Sequence, residues 1–169
     1  RLVRFDANLS QVAQVAVPWG DGLFYDAARH RYLLGGYDSE QGTTLIQAYD
    51  EGNLALLREQ VWPLPLTPNV FAANGKDQLL ALARFGNSRL TSLDPETLVL
   101  TGHAILGVAA VDMALDEAEG TLFVADNQGR IHLLSVPGGQ VRAVWAGEAP
   151  IALDPAHHRL YVNRESAVE

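Results

Sequence analysis

The sequence predicts an all-β chain of the β-propeller kind, carrying about four blades' worth of four-stranded antiparallel meanders. Three observations lead there. A strand-like segment recurs four times, a short polar turn and a second strand follow each copy, and another hairpin lies between successive copies. The recurring segments are Arg1-Leu-Val-Arg-Phe-Asp6, Leu45-Ile-Gln-Ala-Tyr-Asp50, Arg89-Leu-Thr-Ser-Leu-Asp94 and Arg130-Ile-His-Leu-Leu-Ser135. Their last residues lie 44, 44 and 41 places apart, a period in the range of a propeller blade.

Each element has a local reason. The recurring segments alternate in polarity and stop at turn chemistry: Ala7-Asn8, Glu51-Gly52-Asn53, Pro95-Glu96 and Pro137-Gly138-Gly139. A strand resumes after each turn, at Val12–Val17, Ala55–Val61, Leu98–Ala104 and Val141–Trp145. The other hairpin opens with strands ending in Asp26, Asn74, Asp116 and Asp154, and returns through Tyr32-Leu-Leu, Leu79-Leu-Ala, Leu122-Phe-Val and Leu160-Tyr-Val. Asp or Asn at a turn entry can accept a hydrogen bond from the backbone two residues on. No segment combines helical apolar spacing with cap signals. A four-stranded unit cannot bury both of its faces alone, so neighbours must stack.

In strand order a to d from channel to rim, residues 1–17 supply c and d, and residues 150–163 supply a and b. The expected units are 18–61, 62–104 and 105–148, with 1–17 plus 149–169 making up the fourth. Three closures fit: a small ring closed by the chain's own ends, an eight-bladed ring of two copies, or an arc cut from a longer propeller. The arc is the favoured one.

Composition narrows the function. The formal net charge is −8, from 12 basic and 20 acidic residues, and Lys76 is the only lysine. Binding to a phosphate backbone needs clustered basic charge, so nucleic acid is not an expected partner. With no cysteine there is no disulfide, thiolate nucleophile or cysteine-ligated zinc. No apolar run reaches the ~20 residues that cross a bilayer. The chain opens on strand-patterned residues, so no signal peptide is expected within it.

Leu122-Phe-Val-Ala-Asp-Asn-Gln-Gly-Arg-Ile131 resembles the NHL repeat, and Ala152-Leu-Asp-Pro-Ala-His-His-Arg-Leu-Tyr-Val-Asn163 resembles the YVTN repeat. The gluconolactonase-like (senescence-marker) propellers share this style. The resemblance implies the fold, leans toward an extracytoplasmic location, and implies a divalent ion held at the channel mouth by carboxylate and amide groups. Asp112 is the residue it points to, because Val111-Asp112-Met-Ala-Leu-Asp116 is similar to that family's "NDG…D" segment.

An oxygen-bearing residue stands near the start of each innermost strand: Asp21, Asn69, Asp112 and Glu148. Calcium needs several such oxygens converging from different elements, and Asp21, Asn69 and Asp112 are the candidate ligands. Asp126, Asn127 and Trp19 are further candidates for the channel mouth, although Asp126-Asn127-Gln128-Gly129 also reads as a plain hairpin turn. Arg84, Arg130 and Arg164 are read as surface partners of the surplus acids. His157 and His158 are adjacent and so point to opposite faces of the chain. His30, His103 and His132 are scattered over different units. Trp19, Trp62 and Trp145 end or follow the outer strands of three units and are expected to pack between blades, with Trp19 beside Gly20-Asp21-Gly22 also placed to face a ligand. There is no nucleophile elbow and no phosphate loop. The reading is a non-catalytic module for protein–protein interaction or scaffolding, needing no cofactor, whose partner is another protein chain or a second copy of itself. The alternatives are a divalent-metal-dependent, gluconolactonase-like hydrolase and a sensor of a small ligand.

Overall fold

The computed structural model describes residues 1–163, apart from 18, 19, 21, 63–67, 75–77, 84–87, 137, 138 and 155. For residues 68–74 and 78–83 it describes the backbone only. Sixteen strands form five antiparallel sheets. A leading pair is made of β1 (Leu2–Phe5) and β2 (Gln11–Val15). Blade I contains β3 (Gly22–Asp26), β4 (Arg31–Asp38), β5 (Thr43–Asp50) and β6 (Leu56–Trp62). Blade II contains β7 (Pro68–Asn74), β8 (Gln78–Ala83), β9 (Arg89–Leu93) and β10 (Leu100–Ile105). Blade III contains β11 (Ala110–Asp116), β12 (Thr121–Asp126), β13 (Arg130–Ser135) and β14 (Val141–Ala146). A trailing pair follows, β15 (Glu148–Asp154) and β16 (Arg159–Asn163).

Within each blade the strands pair in chain order, as a meander requires. All four innermost strands end at the expected residue, Asp26, Asn74, Asp116 or Asp154. The single 3₁₀ turn described, Ala27–Arg29, belongs to the first a–b connection. The leading and trailing pairs are separate two-stranded sheets, with no ladder joining them among the described residues.

The turns form as their Asp residues dictate. Asp50 Oδ1 accepts from the Gly52 and Asn53 amides, both at 2.9 Å, and Asp94 Oδ1 from Glu96 at 3.0 Å and Thr97 at 2.7 Å. Asp6 Oδ1 does the same for Asn8 and Ser10, both at 2.9 Å. These bonds, with the Thr97 hydroxyl, hold the Asp94 carboxyl below its usual range. Each c–d turn closes through a residue in the left-handed region: Leu9, Leu54 and Leu98 at φ near 60°, and Gly139 at 63°. The a–b turns use the same device at His30, Gly120 and His158. A left-handed leucine is unfavourable, so its side chain must gain something in return.

The core lies between sheets. Leu33, Ile46, Ala48 and Trp62 of blade I meet Leu93 and Leu98 of blade II. Leu90 of blade II meets Ala110, Met113, Leu122, Val124 and Leu134 of blade III. Phe123, Ala125 and Ile131 of blade III meet Ile151 of the trailing pair, with Leu153 and Leu160 beside them. Leu54 and Leu98 are 2% and 0% exposed, and Leu98 anchors the blade I–II interface, whereas Leu9 is 82% exposed.

Candidate functional site

The expected site is the channel mouth, where the innermost strands begin. Asp21 and Trp19 lie outside the described residues, as do Arg84 and Arg164. Asn69 lies in β7, at a ladder irregularity between Pro68 and Val70. The matching irregularity in β11 lies between Ala110 and Asp112 and contains Val111. Through their partners in the second strands, Asp112 corresponds to Val70, so Asn69 and Asp112 are one place apart in register.

Asp112 is committed to the backbone. Its Oδ1 accepts from the Met113 amide and its Oδ2 from the Ile151 amide, each at 2.9 Å. The second bond joins blade III to the trailing pair at the point where β15 departs from its regular ladder with β16. Glu148 begins β15, but its carboxylate turns to the β12–β13 loop and lies beside Gly129. There a Cβ would meet Glu148 Oε1 in ordinary contact at 3.4 Å, and it is the backbone, with φ +73° at Gly129, that favours glycine. Among the described residues, no three His, Asp or Glu side chains gather as a metal-binding group.

Asp126 makes four polar contacts. Its Oδ1 accepts from the Gln128 amide at 2.8 Å and the Arg130 amide at 3.1 Å. Its Oδ2 accepts from Arg130 Nε and is hydrogen-bonded to His132 Nε2, both at 2.8 Å. Burial pushes this carboxyl up, but the bonds from His132, Gln128 and Arg130 outweigh it and hold the group below its usual range. Asp126 thus caps the β12–β13 turn and also holds the Arg130 and His132 side chains. Asn127 is exposed and donates its amide to the Ala109 carbonyl at 3.0 Å. His132 is buried on β13 and, with Leu106, Val108, Val124, Leu134 and Val141, lines a small apolar crevice between blades II and III.

Sequence reasoning missed the fasteners on the turn side. Arg4 donates to the Gly52 carbonyl at 2.8 Å, tying the leading pair to blade I. Arg29 pairs with Glu96, and Arg31 donates both to Asp26 and to the Pro95 carbonyl, tying blade I to blade II. His158 Nδ1 meets Asp116 Oδ2 at 2.8 Å, tying the trailing pair to blade III. His157 instead bonds Asp154 within its own turn. The two neighbouring histidines therefore serve different carboxylates. The one available cue was that Arg and His cluster in a–b turns, facing acidic turns one blade away.

Of the tryptophans expected between blades, the two described differ. Trp62 is 3% exposed, donates Nε1–H to the Leu98 carbonyl and packs at the blade I–II interface. Trp145 lies against Phe123, with ring centroids 6.2 Å apart, yet remains 51% exposed.

No protein-family model matches the chain, and no curated protein sequence does. Solved structures do. The chain is similar to BamB from Moraxella catarrhalis, with TM-score 0.58 and 16% identity over 82% of this chain and 40% of that one. It is also similar to a chain of a mitotic checkpoint complex, with TM-score 0.68 and 11% identity over 90% of this chain and 51% of that one. The chain thus spans about half the length, or less, of these two propeller chains. Four-stranded antiparallel blades stacked about shared cores, together with these likenesses, make the fold a β-propeller.

Proposed function

We propose that this chain is a non-catalytic β-propeller module that binds protein partners or scaffolds an assembly. The observation that carries the reading is the composition of the outermost strands. β6 exposes Leu56, Leu57 and Val61, β10 exposes Ile105, and β14 exposes Val141, Val144 and Trp145. An apolar rim that recurs on consecutive outer strands is what a protein-binding module would use if these residues form one patch. The polar candidates support the same reading, because each oxygen of Asp112 and of Asp126 already serves the protein's own donors. Propellers host unrelated activities, so the site and not the fold must carry any functional reading.

The rival is the calcium-dependent hydrolase, and Asp112 separates the two. In Asp112→Asn one oxygen becomes an N–H donor, so one of the two backbone amides loses its acceptor. The expected result is a loss of about 1–3 kcal/mol in urea unfolding. Neither calcium nor a lactone substrate should give a response in the parent that the variant loses. A saturable calorimetric signal with calcium, removed by Asp112→Asn, would overturn the module reading. Binding itself is tested by crosslinking the tagged chain in its own cells. Any partner should be lost in the rim variant Leu57→Asp/Val144→Asp while the circular dichroism spectrum is kept.

A further inference from the structure

Gln47 on β5 and His132 on β13 hold the same place in their blades, two residues before the buried Tyr49 and Leu134. Both ends of the Gln47 amide are occupied: Oε1 accepts from the Tyr49 hydroxyl at 2.9 Å and Nε2 donates to Glu59 at 2.8 Å. His132 uses one nitrogen only. Its Nε2 meets Asp126 Oδ2 at 2.8 Å, and Nδ1 has no hydrogen-bond partner among the described residues. We infer that His132 and the apolar crevice it lines between blades II and III form a binding site for a small neutral alcohol or phenol. The ligand hydroxyl donates to Nδ1, and its hydrocarbon part lies along the crevice. This site goes beyond the module reading and does not depend on it.

The carboxylate sets which imidazole nitrogen carries the hydrogen. Asp126 is held below the usual carboxyl range, so it is ionised and can only accept, and Nε2 must be the donor. A neutral ring protonated at Nε2 presents a bare lone pair at Nδ1. His132 is 8% exposed, so covering Nδ1 with hydrocarbon alone would strand a buried acceptor, which is unfavourable. A molecule that brings a donor to that point fills the crevice without this loss.

The walls are built from two blades. Leu106 and Val108 come from the β10–β11 connection, and Val124, Leu134 and Val141 come from blade III. Ser88 fixes the connection in place. The Leu106 amide donates to the Ser88 carbonyl at 2.9 Å, and the Ser88 amide donates to the Val108 carbonyl at 3.1 Å. Ser88 Oγ also accepts from the Ala110 amide at 2.8 Å. The wall therefore stands before a ligand arrives, and binding does not have to order it.

Size and polarity narrow the ligand. The enclosed part of the crevice has a volume of about 10 Å³, the room of one water position, and with its mouth the space widens to about 180 Å³. A hydroxyl fits the enclosed part, and a short chain or a single ring fits the mouth. Val141 is 55% exposed and marks that mouth, whereas Val124, Leu134 and His132 are buried and form the floor. No charged side chain is among the lining residues, so a carboxylate or ammonium ligand would lose its water without gaining a counter-charge there.

Phenol is the probe, with toluene as the same ring lacking a donor. Nitrogen-15 spectra that correlate ring nitrogens with carbon-bound ring protons separate Nδ1 from Nε2 in the chain's five histidines, and His132→Phe identifies the signals of interest. In a titration to about 10 mM, a range suited to a ligand this small, phenol should shift the His132 Nδ1 signal saturably and leave Nε2 in place. Toluene should bind about 5- to 150-fold more weakly, because it leaves one buried acceptor unpaired. Val141→Trp closes the mouth without touching the bond between His132 and Asp126. The tautomer signature of His132 should be kept in that variant and the phenol response lost. A Nδ1 signal that does not move throughout the titration would show that the crevice holds water only, and would overturn the inference. Equal affinities for phenol and toluene, or a response that survives Val141→Trp, would overturn it too. The module reading would stand after any of these results, since the rim variant tests it separately.

Discussion

At the scale of single residues, buried acids here hold backbone and cationic groups in place. Asp126 is the clearest case. Replacing it by Asn puts an N–H donor against Arg130 or His132, groups its carboxylate now serves. A loss of about 1–3 kcal/mol is expected in chemical denaturation. The Asp116–His158 pair adds a pH dependence. Its hydrogen bond to Asp116 raises the pKa of His158 above the ordinary 6.5. A group whose pKa is raised on folding stabilises the fold below its unfolded value, and that contribution disappears as pH rises through the folded value. Burial pushes Asp116 up, but the bonds from His158 and the Glu119 amide hold it lower, so its contribution disappears as pH falls through the depressed value. The melting temperature of His158→Gln should therefore lie furthest below that of the parent between about pH 4 and 6.5, converging above that window and in strong acid. A difference that stays constant across pH would show that the pair does not titrate as described.

At the scale of elements, the left-handed turn leucines allow a controlled comparison. Leu98→Ala and Leu9→Ala remove the same side chain from the same backbone conformation, so the strain term cancels. Leu98 is fully buried between two blades, and its truncation should cost roughly 2–5 kcal/mol. In the isolated chain, the change at Leu9 should stay within about 0.5 kcal/mol. The strands themselves were legible in the sequence because alternation and Asp-led turns are local signals: every hairpin anticipated is present. The a–b turn acids are less uniform than expected, since Asp154 accepts from the Ala156 amide two residues on, Asp116 from the Glu119 amide three on, and Asp26 caps no amide but pairs with Arg29 and Arg31. The fasteners were not legible. Arg31 reaches Pro95, and His158 reaches Asp116, across the gap between blades, and no local pattern reports a contact 64 or 42 residues away. Asp112 was singled out for its oxygens. What could not be read was that β15 would present its Ile151 amide to one of them.

At the scale of the whole molecule, burial is graded from the middle outward. All six residues of β12 are buried, between β11 and β13 in its sheet and between two neighbouring sheets across its faces. β16 buries none of its five residues, and β14 none of its six. Amide exchange should therefore be slowest in β12 and β13 and fastest in β1, β14 and β16. Protection of β16 equal to that of β12 would contradict this gradient. Tyr161 shows what the sequence alone could not give. In composition it resembles any blade residue, yet it is 55% exposed where the matching Phe123 is 9% exposed.

Because every hydrophobic cluster among the described residues is shared by two sheets, the repeat has no seam of its own and can be counted in or out. Excising residues 7–50 would join Asp6 to Glu51, the successor of Asp50 in an equivalent turn. The excision leaves strand order, face and turn chemistry in phase across the join. In a protein built this way, changing the circumference is a matter of adding or subtracting 44-residue lengths of gene, and each new neighbour meets a surface of a kind it already fits.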